Sequence, residues 1–328
     1  MSRVLVTGAA GNIGRALTRR LLADGRFELR ASDQREIPSE VAEHPAVEVH
    51  RGDLRDVDEA RRAIAGCSHV IHLAAIVGGI GNFNTLPYTL SEMNSALCNA
   101  VFRAAIESDG IERFVYMSSS MVYENATVFP TPEDYVPDCP TPTSAYGFSK
   151  LTGEVYARAA HDEFGLPFTI CRPGNAYGPG ELPADEPGIT HVIPDLFGKV
   201  FSGQHPLQIL GSGKQTRTFT YIDDTADGIV TAMASPAGLN EDFNITASEE
   251  VTIGELARRV WIATGKPEDE FELEPLEQRF RVDVQRRILS GEKAKRVLGW
   301  EPAVSLDEGL KRTAEWMSGE LGRVTATS

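Results

Sequence analysis

The opening segment Val4-Leu5-Val6-Thr7-Gly8-Ala9-Ala10-Gly11-Asn12-Ile13-Gly14 leaves this chain few folds to choose from. A short apolar run passes into three glycines and then into the helical stretch Ala16 to Ala23, so strand, tight turn and helix follow without a break. Such glycines let the backbone turn sharply and approach a pyrophosphate, whose charge is met by amides at the helix N-terminus. The spacing Gly8, Gly11, Gly14 departs from GxGxxG, so its surroundings decide its meaning. Phe27 to Asp33 reads as a second strand ending on an acid, and Asp33 stands about 20 residues past the last glycine, the usual offset for a ribose-binding carboxylate. A carboxylate there binds the ribose hydroxyls of NAD and repels the extra phosphate of NADP, whereas Arg35 would welcome that phosphate.

Val47 to His50, His69 to Ala75 and Arg113 to Ser120 read as further strands, with helices at Val57 to Ala65 and Leu90 to Ser108 between them. This alternation predicts an α/β fold with a doubly wound parallel sheet. Ligands of such sheets gather at the carboxyl ends of the strands, where Asp53, Ala74, Ala75 and Ser119 fall. Beyond Pro173 the prolines 179, 183 and 187 break the pattern before a helical run at Pro194 to Phe201. Tyr221 to Asp224 leads into a helix ending at Ala234, and a strand at Phe243 to Thr246 returns to the first domain. The expected division is interleaved: a Rossmann domain of residues 1–175 and 218–247, and a smaller C-terminal α/β substrate domain of residues 176–217 and 248–328. Within the latter, Ile253 to Ala263 and Ser305 to Met317 read as helices, Phe271 to Leu273 as a strand, and Trp300 as a packing residue.

The 328 residues carry a formal net charge of −15 with no basic cluster, which argues against nucleic acid or an anionic membrane as partner. No apolar run approaches the roughly 20 residues of a membrane span. Met1-Ser2-Arg3 runs directly into the first strand, so the expected location is cytoplasmic. Cys67, Cys98, Cys139 and Cys171 show neither metal-ligand nor disulfide spacing, and free, buried thiols are expected.

Tyr146-Gly147-Phe148-Ser149-Lys150 puts a phenol and an ammonium on one helix face. A lysine charge fixed nearby favours the phenolate, so the spacing predicts a Tyr146 of lowered pKa able to take a proton.

These segments join Gly52-Asp53-Leu54, His72-Leu73-Ala74-Ala75, Ser118-Ser119-Ser120-Met121-Val122-Tyr123 and Arg172-Pro173-Gly174-Asn175-Ala176-Tyr177-Gly178-Pro179. Together they resemble the extended short-chain dehydrogenase/reductases of the nucleotide-sugar epimerase/dehydratase family. The resemblance implies NAD as cofactor, held by Gly8, Gly11, Asn12, Ile13, Gly14, Asp33, Asp53, Leu54, Leu73, Ala74, Ala75, Tyr146, Lys150 and Pro173. It implies Ser119, Tyr146 and Lys150 as the catalytic set, with Ser120 the neighbour most easily mistaken for Ser119. A nucleotide-diphosphate sugar is the implied substrate, met by Gly79, Ser119, Ser120, Asn175, His191, Val192, Arg217 and Arg281, with Arg279 the alternative to Arg281. It further implies a homodimer built on the helices Leu90 to Ser108 and Tyr146 to Phe164.

The residues after Ser119 bear on the reaction. Related 4,6-dehydratases carry an Asp-Glu pair there and sugar-acid decarboxylases a Glu, but this chain has Ser120 and Met121, which disfavours both reactions. Redox at one carbon is left, and 4-epimerisation through a transient 4-keto sugar is the expected activity. Val77-Gly78-Gly79-Ile80, Thr190-His191-Val192-Ile193-Pro194 and Gln215 to Thr220 also resemble GDP-fucose synthase and GDP-mannose 3,5-epimerase, which use a cysteine at the position of Met121. A thioether is neither acid nor base, so inversion next to the ketone is demoted. His191 is then a substrate contact, a helix cap, or the single acid/base of the runner-up, a 3- or 5-epimerase/4-ketoreductase. A regulator without catalysis is disfavoured by the intact Ser119, Tyr146 and Lys150.

Overall fold

A computed structural model describes residues 2–77, 80–184, 189–277 and 284–327. The first half alternates strands and helices: β1 (Ser2–Thr7), α1 (Asn12–Asp24), β2 (Phe27–Asp33), α2 (Ser39–Ala42), β3 (Val47–Arg51), α3 (Val57–Ile64), β4 (His69–His72), α4 (Ile80–Thr85), α5 (Pro87–Ile106), β5 (Arg113–Met117), α6 (Ala145–Phe164) and β6 (Phe168–Pro173). Then come β7 (Asn175–Tyr177), α7 (Val192–Phe201), β8 (Leu207–Leu210), β9 (Thr216–Arg217), β10 (Phe219–Tyr221), α8 (Ile222–Ala234) and β11 (Glu241–Ile245). The chain continues through β12 (Val251–Thr252), α9 (Ile253–Ala263), β13 (Leu273–Leu276), β14 (Arg286–Arg287), α10 (Glu292–Leu298) and α11 (Leu306–Thr327).

Seven parallel strands form the main sheet in the order β11-β6-β5-β4-β1-β2-β3. The chain winds outward from β1 to β3 and then returns to the other side of β1 with β4, which opens a crevice at the carboxyl ends of β1 and β4. Successive strand residues feed opposite faces. Val4 and Val6 join the layer that holds Leu17, Ile229 and Phe243, while Leu5 joins Ile64, Val101 and Phe114. Full burial of such a side chain stabilises by about 1.5–3 kcal/mol, which is why these runs are apolar throughout rather than alternating. Among the described residues no helix is long and apolar enough to cross a membrane.

Two strands end earlier than the sequence predicts. β4 stops at His72 because the Thr7 hydroxyl, not a neighbouring strand, accepts from the N–H groups of Leu73 and Ala74, at 3.1 and 3.0 Å. β5 stops at Met117, and Ser119 then caps a short 3-10 turn over Ser120–Tyr123. The expected strand at Phe271 begins instead at Leu273, and Phe271 packs edge-on against Trp261. The last helix runs ten residues past the expected Met317, to Thr327. Cys67, Cys98 and Cys171 are buried free thiols, and Cys139 is free and half-buried.

Candidate active site

The glycine turn forms a cradle that side chains would fill. Gly8 has φ 72°, and a Cβ there would lie 3.0 Å from the Ala74 nitrogen; one on Gly14 would lie 2.2 Å from the Gly8 carbonyl oxygen. Gly11 caps α1 without any side-chain hydrogen bond, so amides of the first helical turn are presented to a ligand. The Asn12 Oδ1 beside them is buried without a hydrogen-bond partner. A dinucleotide pyrophosphate fits this donor set, and Ile13 lines the same space. Asp33, at the end of β2, accepts from the Ala10 N–H at 3.0 Å and the Arg35 N–H at 2.9 Å, so the acid both shapes the glycine turn and faces the crevice. The Arg35 Nε lies 3.4 Å from the Asp33 carboxylate, with the arginine side chain largely exposed. Asp53 is engaged by the Arg55 Nε at 3.0 Å, with Leu54 buried beside it.

One cavity of about 670 Å³ joins this cradle to the remaining described candidates. Leu73, Ala74, Ala75 and Pro173 line its floor, at the ends of β4 and β6. Gly79, Arg279 and Arg281 lie outside the described residues.

Tyr146 is the second residue of α6, whose N-cap Ser144 accepts from the Gly147 N–H at 3.0 Å. A Cβ on Gly147 would sit 2.7 Å from the Met121 carbonyl oxygen, so glycine there lets α6 press against the turn that carries Ser119. The Ser119 hydroxyl accepts from the Met121 N–H at 3.1 Å and also hydrogen-bonds the Tyr146 phenol. Ser120 is buried in the same turn. The Lys150 Nζ donates to the Met117 carbonyl oxygen at 2.8 Å and stands 5.9 Å from the Tyr146 ring centre.

The expected lowering of the Tyr146 pKa is corrected. Burial pushes it up to about 12, against which the Ser119 hydrogen bond and the Arg287 charge pull downward. Removal from water penalises the phenolate more than these partners favour it, and the cation that acts on it is Arg287 rather than Lys150. Burial also lowers Lys150 to about 8, so the ammonium persists at neutral pH.

Arg287 carries no local signal in the sequence. Its neighbour Arg286 points outward to Glu250, 2.7 Å away, while Arg287 turns inward as strand alternation requires. The Arg287 Nη2 donates to Asn175 Oδ1 at 2.7 Å, its Nη1 meets the Met121 sulfur, and its Nε is buried without a hydrogen-bond partner. Burial lowers its pKa to about 10, which leaves it charged. β14 pairs with β9 so that Arg287 and Arg217 stand opposite each other. The Arg217 guanidinium donates to the carbonyl oxygens of Thr216 at 2.7 Å and Val284 at 2.6 Å, while Asn175 donates to the Thr218 carbonyl at 2.6 Å.

His191 is the N-cap residue of α7, but its side chain makes no capping bond. Its Nδ1 instead lies 2.8 and 2.9 Å from the two carboxylate oxygens of Glu181, a residue the sequence reading did not select. The His191 side chain is half exposed at the cavity mouth; partial desolvation there works against the imidazolium, but Glu181 outweighs it and holds the His191 pKa above its usual value. Val192 follows on the first turn and lines the cavity.

A doubly wound sheet, a glycine cradle at its switch point and a Ser-Tyr-Lys set at the carboxyl end of β5 define a nicotinamide-dinucleotide oxidoreductase site. A model of the NAD dependent epimerase/dehydratase family matches residues 4–246. UDP-glucose 4-epimerase of Mycolicibacterium smegmatis is 31% identical over 322 residues, which cover 96% of this chain and 98% of that protein. GDP-mannose 3,5-epimerase of Arabidopsis thaliana is 29% identical over 331 residues, covering 99% of this chain and 84% of the relative. The crystal structure of Thermus thermophilus UDP-glucose 4-epimerase in complex with NAD matches with a TM-score of 0.83 at 29% identity, over 97% of this chain and 99% of that one. The chain belongs to the NAD dependent epimerase/dehydratase family. It is an NAD-dependent enzyme, as the glycine cradle and Asp33 led one to expect.

Proposed function

We propose that this enzyme interconverts the C4 epimers of a nucleotide-diphosphate hexose through a transient 4-keto sugar. The observation that carries this reading is the turn after Ser119: the proton-transfer pair Ser119 and Tyr146 is assembled, while the adjacent wall is the buried thioether of Met121. A thioether cannot protonate a leaving hydroxyl, which disfavours dehydration. The glycine cradle and Asp33 would hold NAD, which would supply a reversible hydride acceptor for C4. The chain's own part is proton handling. Tyr146 takes the hydroxyl proton as C4 is oxidised, Ser119 hydrogen-bonds the same oxygen, and Lys150, pinned to the Met117 carbonyl, faces the ribose hydroxyls. Accepting that proton requires the phenolate, which burial disfavours and which the Ser119 hydrogen bond and the Arg287 charge favour.

Arg217, Arg287 and Asn175 form the grip for the diphosphate, two guanidinium groups on paired strands supplying local positive charge in a chain of net charge −15. Residues 176–217 and 248–328 form the sugar-nucleotide lobe in this reading. A cytoplasmic homodimer belongs to it as well, its contact the outer face of α5 and α6 with the exposed Tyr88, Phe148 and Val155. Light scattering tests the dimer, and a monomer at micromolar concentration overturns it.

The test of function is a panel of UDP-, GDP- and dTDP-hexoses incubated with catalytic NAD, products resolved by NMR. The expected result is a C4 epimer with no net cofactor consumed. One cofactor oxidised per product would make the enzyme a 4-ketoreductase instead.

A further inference from the structure

Glu124 is a buried carboxylate for which hydride transfer at C4 has no use. Its Oε1 accepts from the Thr143 hydroxyl at 2.5 Å. The Ser144 backbone N–H lies 3.2 and 3.0 Å from its two oxygens, and Oε2 also accepts from the Ser144 hydroxyl. With its hydrogen committed to Glu124, that hydroxyl turns a lone pair to the Gly147 N–H, the bond that caps α6. A negative charge at this end of α6 also suits the helix dipole. Glu124 is at the same time the residue that closes the 3-10 turn opened by Ser119, its own N–H donating to the Met121 carbonyl oxygen at 3.2 Å. One side chain thus joins the turn that bears Ser119 to the start of the helix that bears Tyr146.

We propose that Glu124 is a positioning residue for the proton transfer, clamping the 3-10 turn to the start of α6 so that the Ser119 hydroxyl is held against the Tyr146 phenol. This rests on Ser119 and Tyr146 being the proton-transfer pair proposed above. Gly147 packed on the Met121 carbonyl brings the same two elements together, but such contact has little directional preference. Hydrogen bonds to a carboxylate are directional, and the Thr143 hydroxyl, the Ser144 N–H and the Ser144 hydroxyl converging on one charged group fix both the separation and the angle of the two elements. The bond between Ser119 and Tyr146 depends on that angle, since a hydrogen bond weakens steeply once its alignment is lost.

A second route from Glu124 to Tyr146 runs through charge, because Glu124 favours the Arg287 cation and that cation favours the Tyr146 phenolate. The two routes part at Thr143. Thr143→Val removes one arm of the clamp and leaves every charge in place.

The test follows oxidation of NADH by synthetic UDP-, GDP- and dTDP-linked 4-keto hexoses, in which a hydride reaches C4 and Tyr146 gives its proton to the C4 oxygen. Glu124→Gln keeps the volume but offers one acceptor oxygen where the parent has two. Its rate at saturating ketone should fall at least about tenfold, with KM, NADH affinity and melting temperature little changed. Thr143→Val, at an exposed position, should show the same split to a smaller degree, and decides the matter if Glu124→Gln does not fold. In a Ser119→Ala background Glu124→Gln should cost no more than about a further twofold, because the hydroxyl it positions is gone. Parent-like rates in Glu124→Gln, no effect of Thr143→Val, or losses that multiply with Ser119→Ala each overturn the proposal. So does a parallel fall in melting temperature and NADH affinity, which would leave Glu124 a purely structural part. Because the ketone is supplied, failure to epimerise the hexose panel would sink the functional reading while these variants still decide the role of Glu124.

Discussion

Arg172 and Glu154 meet side-on, Nε to Oε1 at 2.7 Å and Nη2 to Oε2 at 2.6 Å, with both side chains buried. The same Nη2 reaches Asp242 on β11 at 2.7 Å. Glu154 lies one turn beyond Lys150 on α6, so the pair ties the helix that carries Tyr146 and Lys150 to the sheet. Arg172→Met would leave the Glu154 carboxylate buried without its cation, while Asp242 keeps Arg158 and Lys293. The substitution should destabilise the protein by about 3–5 kcal/mol, measured by urea unfolding. A loss below about 1 kcal/mol would mean the Glu154 carboxylate finds another partner.

Tyr146→Phe removes one oxygen and no packing volume of consequence. Turnover should fall by a factor of about 10² to 10⁴, with NAD affinity and melting temperature little changed. Activity within a few-fold of the parent would hand the C4 proton to another residue.

Lys150 sets an alkaline limit. Its charge is needed at the ribose and is lost as pH rises through about 8, so turnover should decline above that pH. Stability should move the other way. The folded pKa lies below the unfolded value of about 10.4, so the cost of the buried charge is fully present below pH 8 and is relieved as pH rises toward 10. Opposing trends in rate and unfolding free energy between pH 8 and 10, both absent in Lys150→Met, are the expected signature.

Asp33 should make NAD bind at least tenfold more tightly than NADP, because its carboxylate faces the ribose site while Arg35 is drawn into pairing with it. Isothermal titration with each cofactor measures this. Equal affinities would show that Arg35 swings to the 2′-phosphate and prevails.

Local pattern was enough for the glycine turn, the acid at Asp33, the strand cores and the placement of Tyr146 and Lys150 on one helix, because each depends on residues close in sequence. The same pattern overran β4 and β5, since a strand ends where its neighbours stop pairing, and at His72 that is decided by the Thr7 hydroxyl 65 residues away. Arg287 and Glu181 escaped notice for a related reason. Arg287 enters the site through the pairing of β14 with β9, and Glu181 meets His191 from a loop whose Gly180 carbonyl is held by Arg15 of α1. The spacing of Tyr146 and Lys150 likewise left out the low-dielectric surroundings that raise the phenol to about 12 and lower the ammonium to about 8. Residue type and spacing thus determined which groups are present and on which element. Their charge states, and which cation faces which oxygen, came from burial and long-range strand pairing, because desolvation and Coulomb terms depend on distances that only the folded chain sets.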